Sequence, residues 1–104
     1  MKFLNLESDN VSGVSVLEKT NFPLLENLNL SDNRISDINV LEKVKYPNLQ
    51  YIYFMKNNIN DIQVLERVKF DKLASINLIG NSFPKELFAS LIKDLKKRIQ
   101  FVSV

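Results

Sequence analysis

The chain has 104 residues, of which 45% are hydrophobic and 25% charged, and its formal net charge is +2. This composition is that of one globular domain, not of a disordered or low-complexity chain. The sequence contains no Cys, His or Trp, which excludes disulfide bonds and thiolate chemistry and removes the most common general base and metal ligand.

No segment has the features of a signal peptide or a membrane span. The apolar start of the chain is ended by Glu7 and Asp9, well before it reaches the length of a signal peptide's hydrophobic region. No stretch approaches the roughly 18 apolar residues that a membrane span needs. We therefore expect a cytoplasmic protein that does not interact with membranes.

The sequence repeats itself with a period of 24 residues. The two most complete copies begin at Leu25 and Leu49, and they read LENLNLSDNRI and LQYIYFMKNNI. Several columns of residues stay in phase over four units. Among them are Leu4, Leu28, Ile52 and Ile76; Leu6, Leu30, Phe54 and Leu78; and Asp9, Asn33, Asn57 and Asn81.

Each unit begins with a predicted strand. Apolar residues alternate in the pattern Leu28-x-Leu30, which indicates a short strand with one buried face. The Asn that follows is both donor and acceptor, so we expect it to bind inward-pointing backbone groups at the turn. In the first unit this position is an Asp, which only accepts when ionised. The sequence thus predicts a structural ladder of Asp9, Asn33, Asn57 and Asn81.

The second half of each unit predicts a short helix. Asp37 and Asp61 belong to dipeptides typical of helix N-caps. Ile38, Leu41 and Val44 then follow at steps of three, which indicates a helix of about two turns with one buried face. Stacked units of this kind would share one core, although one unit alone could not bury its apolar face.

The pattern changes after the fourth copy of the Asn. Pro84 is a helix-start signal, so we predict one longer helix over about residues 84–97, followed by a closing strand over 99–104. In that strand, Ile99 and Phe101 are expected to point inward. The apolar stripe of the helix consists of Leu87, Phe88, Leu91, Ile92 and Leu95.

These columns resemble the leucine-rich repeat, L-x-x-L-x-L-x-x-N-x-L, over about residues 1–83. Segments 33–38 and 57–62, which read NRISDI and NNINDI, are most similar to the intracellular phosphatase-regulator and internalin repeat types, whose units are shorter. The resemblance implies an α/β fold: a right-handed solenoid with a short parallel sheet on its concave face, short helices on its convex face, and a C-terminal capping helix and strand. We expect a single domain, 1–104, with repeats at about 1–24, 25–48, 49–72 and 73–83 and a cap at 84–104.

In such strands the residues between the buried ones face outward onto the concave sheet. Most units present small or polar groups there, such as Ser31, whereas the third unit presents Tyr51, Tyr53 and Met55. Tyr is enriched at binding hot spots and Met adapts to varied partners; alternatively, these side chains merely cover the sheet. The predicted protein-binding residues are Tyr51, Tyr53, Met55, Ile79, Asn29, Asn77 and Phe3.

We find no constellation for catalysis, cofactor binding or metal binding. Gly13 and Gly80 stand alone and form no phosphate-binding loop, and no His is present to activate a Ser. Glu7 and Asp9 are expected to be solvated at a strand end. The last helix carries a basic patch, but acidic residues dilute it and no aromatic residue lies among its cations, so nucleic-acid binding is not expected. That patch consists of Lys93, Lys96, Lys97 and Arg98.

The sequence therefore predicts a non-enzymatic protein–protein interaction module, a scaffold or regulatory adaptor that binds through its concave face. The alternative is a structural role, in which the solenoid self-associates or caps a longer array. Residues 1–52 carry 5 basic and 7 acidic side chains, whereas residues 53–104 carry 9 and 5. This asymmetry, together with an exposed first strand, favours weak self-association or an upstream partner at the N-terminal edge.

Overall fold

Five short strands form one parallel sheet in chain order, in a computed structural model that describes residues 1–104. Each strand pairs with the next in register, so that Leu4, Leu28, Ile52, Ile76 and Val102 form one row on the inner face. This architecture confirms the predicted α/β leucine-rich-repeat solenoid. The strands are β1 (Phe3–Asn5), β2 (Asn27–Asn29), β3 (Tyr51–Tyr53), β4 (Ser75–Asn77) and β5 (Phe101–Ser103).

The opposite side of the solenoid is formed by short 3-10 helices at Ser15–Lys19, Asn39–Glu42 and Gln63–Glu66. They are shorter than the two turns predicted from the sequence. The backbone N–H of Leu41 donates to the carbonyl of Ile38 at 3.1 Å, which is the three-residue spacing of a 3-10 helix. Steps of three between apolar residues fit that geometry, because side chains at i and i+3 eclipse one another in it.

The last unit contains the only α-helix, α1 (Ala89–Arg98). It begins later than the predicted helix because residues 84–88 form turns, and Leu87 is 75% exposed there and does not join the buried stripe. The helix lengthens this unit, so Phe101 pairs with Ser75 at a spacing of 26 residues. Phe101 is therefore outward-facing and 58% exposed, which corrects the expectation that it points inward, whereas Ile99 is buried.

One continuous core of 26 buried apolar residues lies between the sheet and the outer helices. At the N-terminal end, Val14 and Leu17 are buried, while Met1 is 56% exposed. No helix of the protein has the length and apolar character needed to cross a membrane. Because the inner residues of the strands pack in this core and the strands pair in register, the outward side chains lie in rows across the sheet.

Candidate protein-binding face

A buried asparagine fixes the turn at the end of β3. Asn57 donates from Nδ2 to the carbonyl of Leu30 at 2.9 Å and to those of Phe54 and Met55 at 3.2 Å each, and its Oδ1 accepts from the N–H of Ile35 at 2.9 Å. Two of these partners belong to the preceding unit. The amide therefore joins neighbouring units at the border of the outward face.

Asn33 and Asn81 make the same kind of contact. Asn33 donates to the carbonyl of Leu6 at 2.9 Å and accepts from the N–H of Val11 at 2.8 Å, and Asn81 links its own unit to the third. Asp9 does not join this ladder, because it is exposed and its side chain makes no hydrogen bond. An ionised carboxylate cannot donate to carbonyl groups as the amides do.

A second set of asparagines lies on the outward face of β1, β2 and β4. In each of them the side-chain Oδ1 accepts from the backbone N–H two residues later, a turn that Asn favours. This bond engages the carbonyl oxygen of the amide and leaves its Nδ2 group at the surface. The Nδ2 group of Asn29 donates there to the carboxylate of Glu7 at 3.2 Å. The bonds join Asn5 to Glu7 at 3.0 Å, Asn29 to Ser31 at 3.0 Å and Asn77 to Ile79 at 3.1 Å.

The third unit lacks this asparagine, because Tyr53 occupies its position. The N–H of Met55, which such an asparagine would bind, donates instead to Oγ of Ser31 at 3.0 Å. Ser31 is consequently buried, with 2% of its surface exposed, and is not the outward-facing residue that the alternation predicted. The third unit thus presents an additional aromatic side chain without an unpaired N–H group beneath it.

The first outward row alternates large and small side chains across the sheet. By strand register the row runs through Phe3, Asn27, Tyr51, Ser75 and Phe101. Phe3 is 67% exposed, Tyr51 37% and Phe101 58%, whereas the polar residues between them are half-buried. Aromatic side chains therefore project from every second strand, and small polar groups lie between them.

The structure brings most of the predicted binding residues onto this one face. Tyr53 and Met55 are half-buried beside Tyr51, and Ile79 on the neighbouring unit is 50% exposed. Phe3 lies two strands away from them. Asn29 and Asn77 are half-buried and hold the turns described above. Phe101 is the residue that sequence reasoning missed: it pairs with the outward-facing Ser75, and the 24-residue step, which places it in the column of Asn77, already predicts an outward direction.

The opposite surface carries charges that pair between units. Lys43 lies 3.9 Å from Glu18, and Arg67 lies 2.9 Å from Glu42. On α1, Arg98 donates to the carbonyl of Leu65 at 3.3 Å, so one member of the basic patch is engaged within the fold. No group of three or more acidic residues comes together in a way that could hold a metal ion.

Comparison of the sequence with protein-family models and with curated proteins gave no match. Among solved structures, the chain is similar to an internalin (InlF) of Listeria monocytogenes, with 25% identity over 89% of this chain and a TM-score of 0.61. The match covers 25% of the internalin, so the chain spans about a quarter of that protein's length.

Proposed function

We propose that this leucine-rich-repeat solenoid is a protein–protein interaction module, a non-enzymatic scaffold or regulatory adaptor, that binds a protein partner through the concave face of its sheet. The proposal treats residues 1–104 as one domain and places it in the cytoplasm. The similarity to an internalin supports an interaction module in general terms. The site itself is inferred from this chain's own residues.

One observation carries the proposal: an aromatic residue replaces a structural asparagine. The side chains of Asn5, Asn29 and Asn77 each accept a hydrogen bond from the backbone N–H two residues later. Tyr53, at the equivalent position of the third unit, does not make this bond. Ser31 supplies it from the neighbouring unit. Because the core is unchanged by this exchange, the fold has no need of the tyrosine, and its benefit must lie at the surface. A partner that buries its ring would provide that benefit.

The exposed apolar residues support the same face. Eight large hydrophobic residues are strongly exposed, and four of them, Phe3, Tyr51, Ile79 and Phe101, lie on the outward side of the sheet. Several exposed apolar side chains on one face of a protein indicate an interaction site. Tyr51 and Tyr53 offer large contact area at a low cost in side-chain entropy, and Asn29 and Asn77 provide a polar rim.

Affinity capture from the source cells, with wild type and a Tyr51→Ala/Tyr53→Ala variant as baits, tests the proposal. The captured partner should be lost from the double variant and retained by Leu87→Ala, which removes a more exposed apolar side chain away from the sheet. Capture that is equal for all three baits would place the binding surface elsewhere. Fractionation of the same cells tests the cytoplasmic location.

The alternative function is assembly through the N-terminal edge. β1 pairs with β2 on one side only, and Met1 and Val16 are exposed in the same unit. An unpaired strand edge is a template for another chain. Light scattering over a range of concentrations separates the two functions: a molar mass that rises with concentration supports self-association, and a constant monomer counts against it.

A further inference from the structure

The first unit leaves one end of the core uncovered. In the second unit, Leu28 and Leu30 are fully buried between their neighbours. The equivalent residues of the first unit, Leu4 and Leu6, are only half-buried, and so is Val11. β1 pairs only with β2, so nothing in the fold packs on the other side of these residues. This end therefore presents the kind of apolar surface on which repeat units stack inside the protein.

The opposite end of the sheet is also open. β5 pairs only with β4, and its inner residues Val102 and Val104 are half-buried. Val102 lies in the inner row that begins at Leu4, and the same register places Val104 in the row that begins at Leu6. The two ends of the solenoid thus leave the same two inner rows incompletely covered.

The backbone groups of the two open edges are complementary. The carbonyl before each strand accepts from the N–H of the first residue of the next strand, as in Glu26 and Tyr51 at 3.0 Å. The N–H after each strand donates to the last carbonyl of the next strand, as in Leu30 and Tyr53 at 2.8 Å. Each open edge holds one half of this pattern. The groups are the carbonyl of Gln100 and the N–H of Val104 at β5, and the N–H of Phe3 and the carbonyl of Asn5 at β1.

The outward side chains at the two ends also match. Phe3 and Phe101 lie at opposite ends of the same outward row, and both rings are more exposed than that of Tyr51 on the central strand. If the row continues from one copy into the next, Phe101 becomes the cross-strand neighbour of the second copy's first strand and meets Phe3 there. Aromatic pairs at such positions are stabilising. Contact between two identical ends would leave one of the two rings uncovered.

Charge complementarity favours contact between unlike ends. Residues 1–24 carry 2 basic and 3 acidic side chains, a net charge of −1, whereas residues 84–104 carry 5 basic and 2 acidic, a net charge of +3. Opposite charges attract the first unit of one copy to the last unit of another, and like charges disfavour the contact of two identical ends.

We propose that the protein assembles head to tail, with β5 of one copy pairing in parallel with β1 of a second copy, in the register that places Phe101 opposite Phe3 and Val102 opposite Leu4. Because the contact joins unlike ends, each dimer keeps one free end of each kind, and assembly continues into an open chain or closes into a ring. The inference rests on the alternative function, self-association, and specifies its geometry. It does not depend on binding of a partner at the concave face.

Two variants that block one end each test this geometry. Leu4→Lys and Val102→Lys place a charge in the same inner row at opposite ends, where it reaches water in the monomer but is buried without a partner in the stack. In sedimentation velocity, wild type should gain mass with concentration and each variant alone should stay monomeric. Their equimolar mixture should form 1:1 dimers, because each variant retains the end that the other has lost. Tyr51→Ala, on the central strand, should assemble like wild type.

A second pair of variants leaves the core untouched and serves if circular dichroism shows that the lysine variants do not fold. Phe3→Ala and Phe101→Ala each remove an exposed ring, and each should weaken assembly about tenfold. Leu87→Ala is the matched control, since it removes an exposed apolar side chain of the last unit that lies off the sheet, and it should assemble like wild type.

The possible outcomes separate this geometry from self-association in general. Association of Val102→Lys alone would mean that two N-terminal ends pair, and association of Leu4→Lys alone that two C-terminal ends do. Either result, or weakening by only one of the two alanine variants, overturns the head-to-tail proposal and leaves self-association standing. Wild type that stays monomeric at every concentration overturns both. The concave-face function is judged separately, by partner capture with the tyrosine variants.

Discussion

Oγ of Ser31 accepts a hydrogen bond from the backbone N–H of Met55 at 3.0 Å, across the boundary between the second and third units. In three other units the equivalent N–H is bound by an asparagine of its own strand. Ser31 thus permits Tyr53 to occupy the asparagine position, and a buried residue of one unit is coupled to the surface chemistry of the next.

This coupling predicts a non-additive pair of substitutions. Ser31→Ala leaves the N–H of Met55 without a partner and should lower the free energy of unfolding by about 1–3 kcal/mol. In a Tyr53→Asn background the new asparagine can bind that N–H, so the same Ser31→Ala change should cost much less. Urea denaturation of the four proteins of this cycle measures the difference. Equal costs of Ser31→Ala in both backgrounds would contradict the coupling.

The asparagine ladder predicts a large loss of stability at Asn57. Asn57→Leu leaves the N–H of Ile35 without a partner and removes one of the donors to the carbonyl groups of Leu30, Phe54 and Met55, so the free energy of unfolding should fall by about 1–3 kcal/mol. Asp9→Leu is the matched control, since Asp9 occupies the same column without hydrogen bonds and an exposed change there should stay within about 0.5 kcal/mol. Thermal melts that shift equally for both variants would contradict this role of the ladder.

The proposed binding face predicts that substitution of Tyr51 lowers the affinity for a partner but hardly changes the stability of the fold. Truncation to Ala should cost about 2 kcal/mol of binding free energy, which is about thirtyfold in Kd, because hot-spot tyrosines are buried by a partner. The free energy of unfolding should change by about 0.5 kcal/mol or less, since the ring lies outside the core. A partner titration and a melting curve measure the two effects. Unchanged affinity together with lower stability would mean that the ring only covers the sheet.

Tyr46 predicts a loss of stability at high pH. Its side chain is buried, and this burial raises the pKa of the hydroxyl above its ordinary value of 10.0, while the hydrogen bond with Thr20 offsets part of the rise. The folded state therefore holds this proton more strongly than the unfolded state does. The stabilisation is complete below about pH 10 and is lost as pH rises through the folded-state pKa.

Tyr46→Phe isolates this effect from the titration of the lysines, which both proteins share. At about pH 8 the variant should be less stable by about 1 kcal/mol, because it lacks the hydrogen bond to Thr20, 2.6 Å long in wild type. Above about pH 11 the gap should narrow as wild type loses the contribution of its neutral phenol. A gap that is constant from about pH 8 to pH 11 would show that the hydroxyl does not titrate with unfolding.

The short-range sequence pattern was sufficient to predict the repeating part of the fold. The 24-residue period and the alternation around Leu28 and Ile52 predicted the strands, because a side-chain period of two assigns each residue to one face. The same alternation placed Tyr51 and Tyr53 on the outward side. These features follow from local periodicity, which repeats too regularly to permit another register.

Only the tertiary structure decided the features that depend on contacts between units or on an irregular length. Ser31 is buried, and its hydroxyl accepts a hydrogen bond from an N–H that is 24 residues away in the chain. Phe101 lies in the row of Tyr51 and Ser75 because the last unit is two residues longer than the repeat, whereas a 24-residue step would place it, also facing outward, opposite Asn77. Asp9 stays outside the ladder because a carboxylate cannot donate to carbonyl groups as the asparagines do. The sequence determined the repeat and the inner face; stacking of the units decided which polar groups are satisfied, and therefore which side chains remain free to bind a partner.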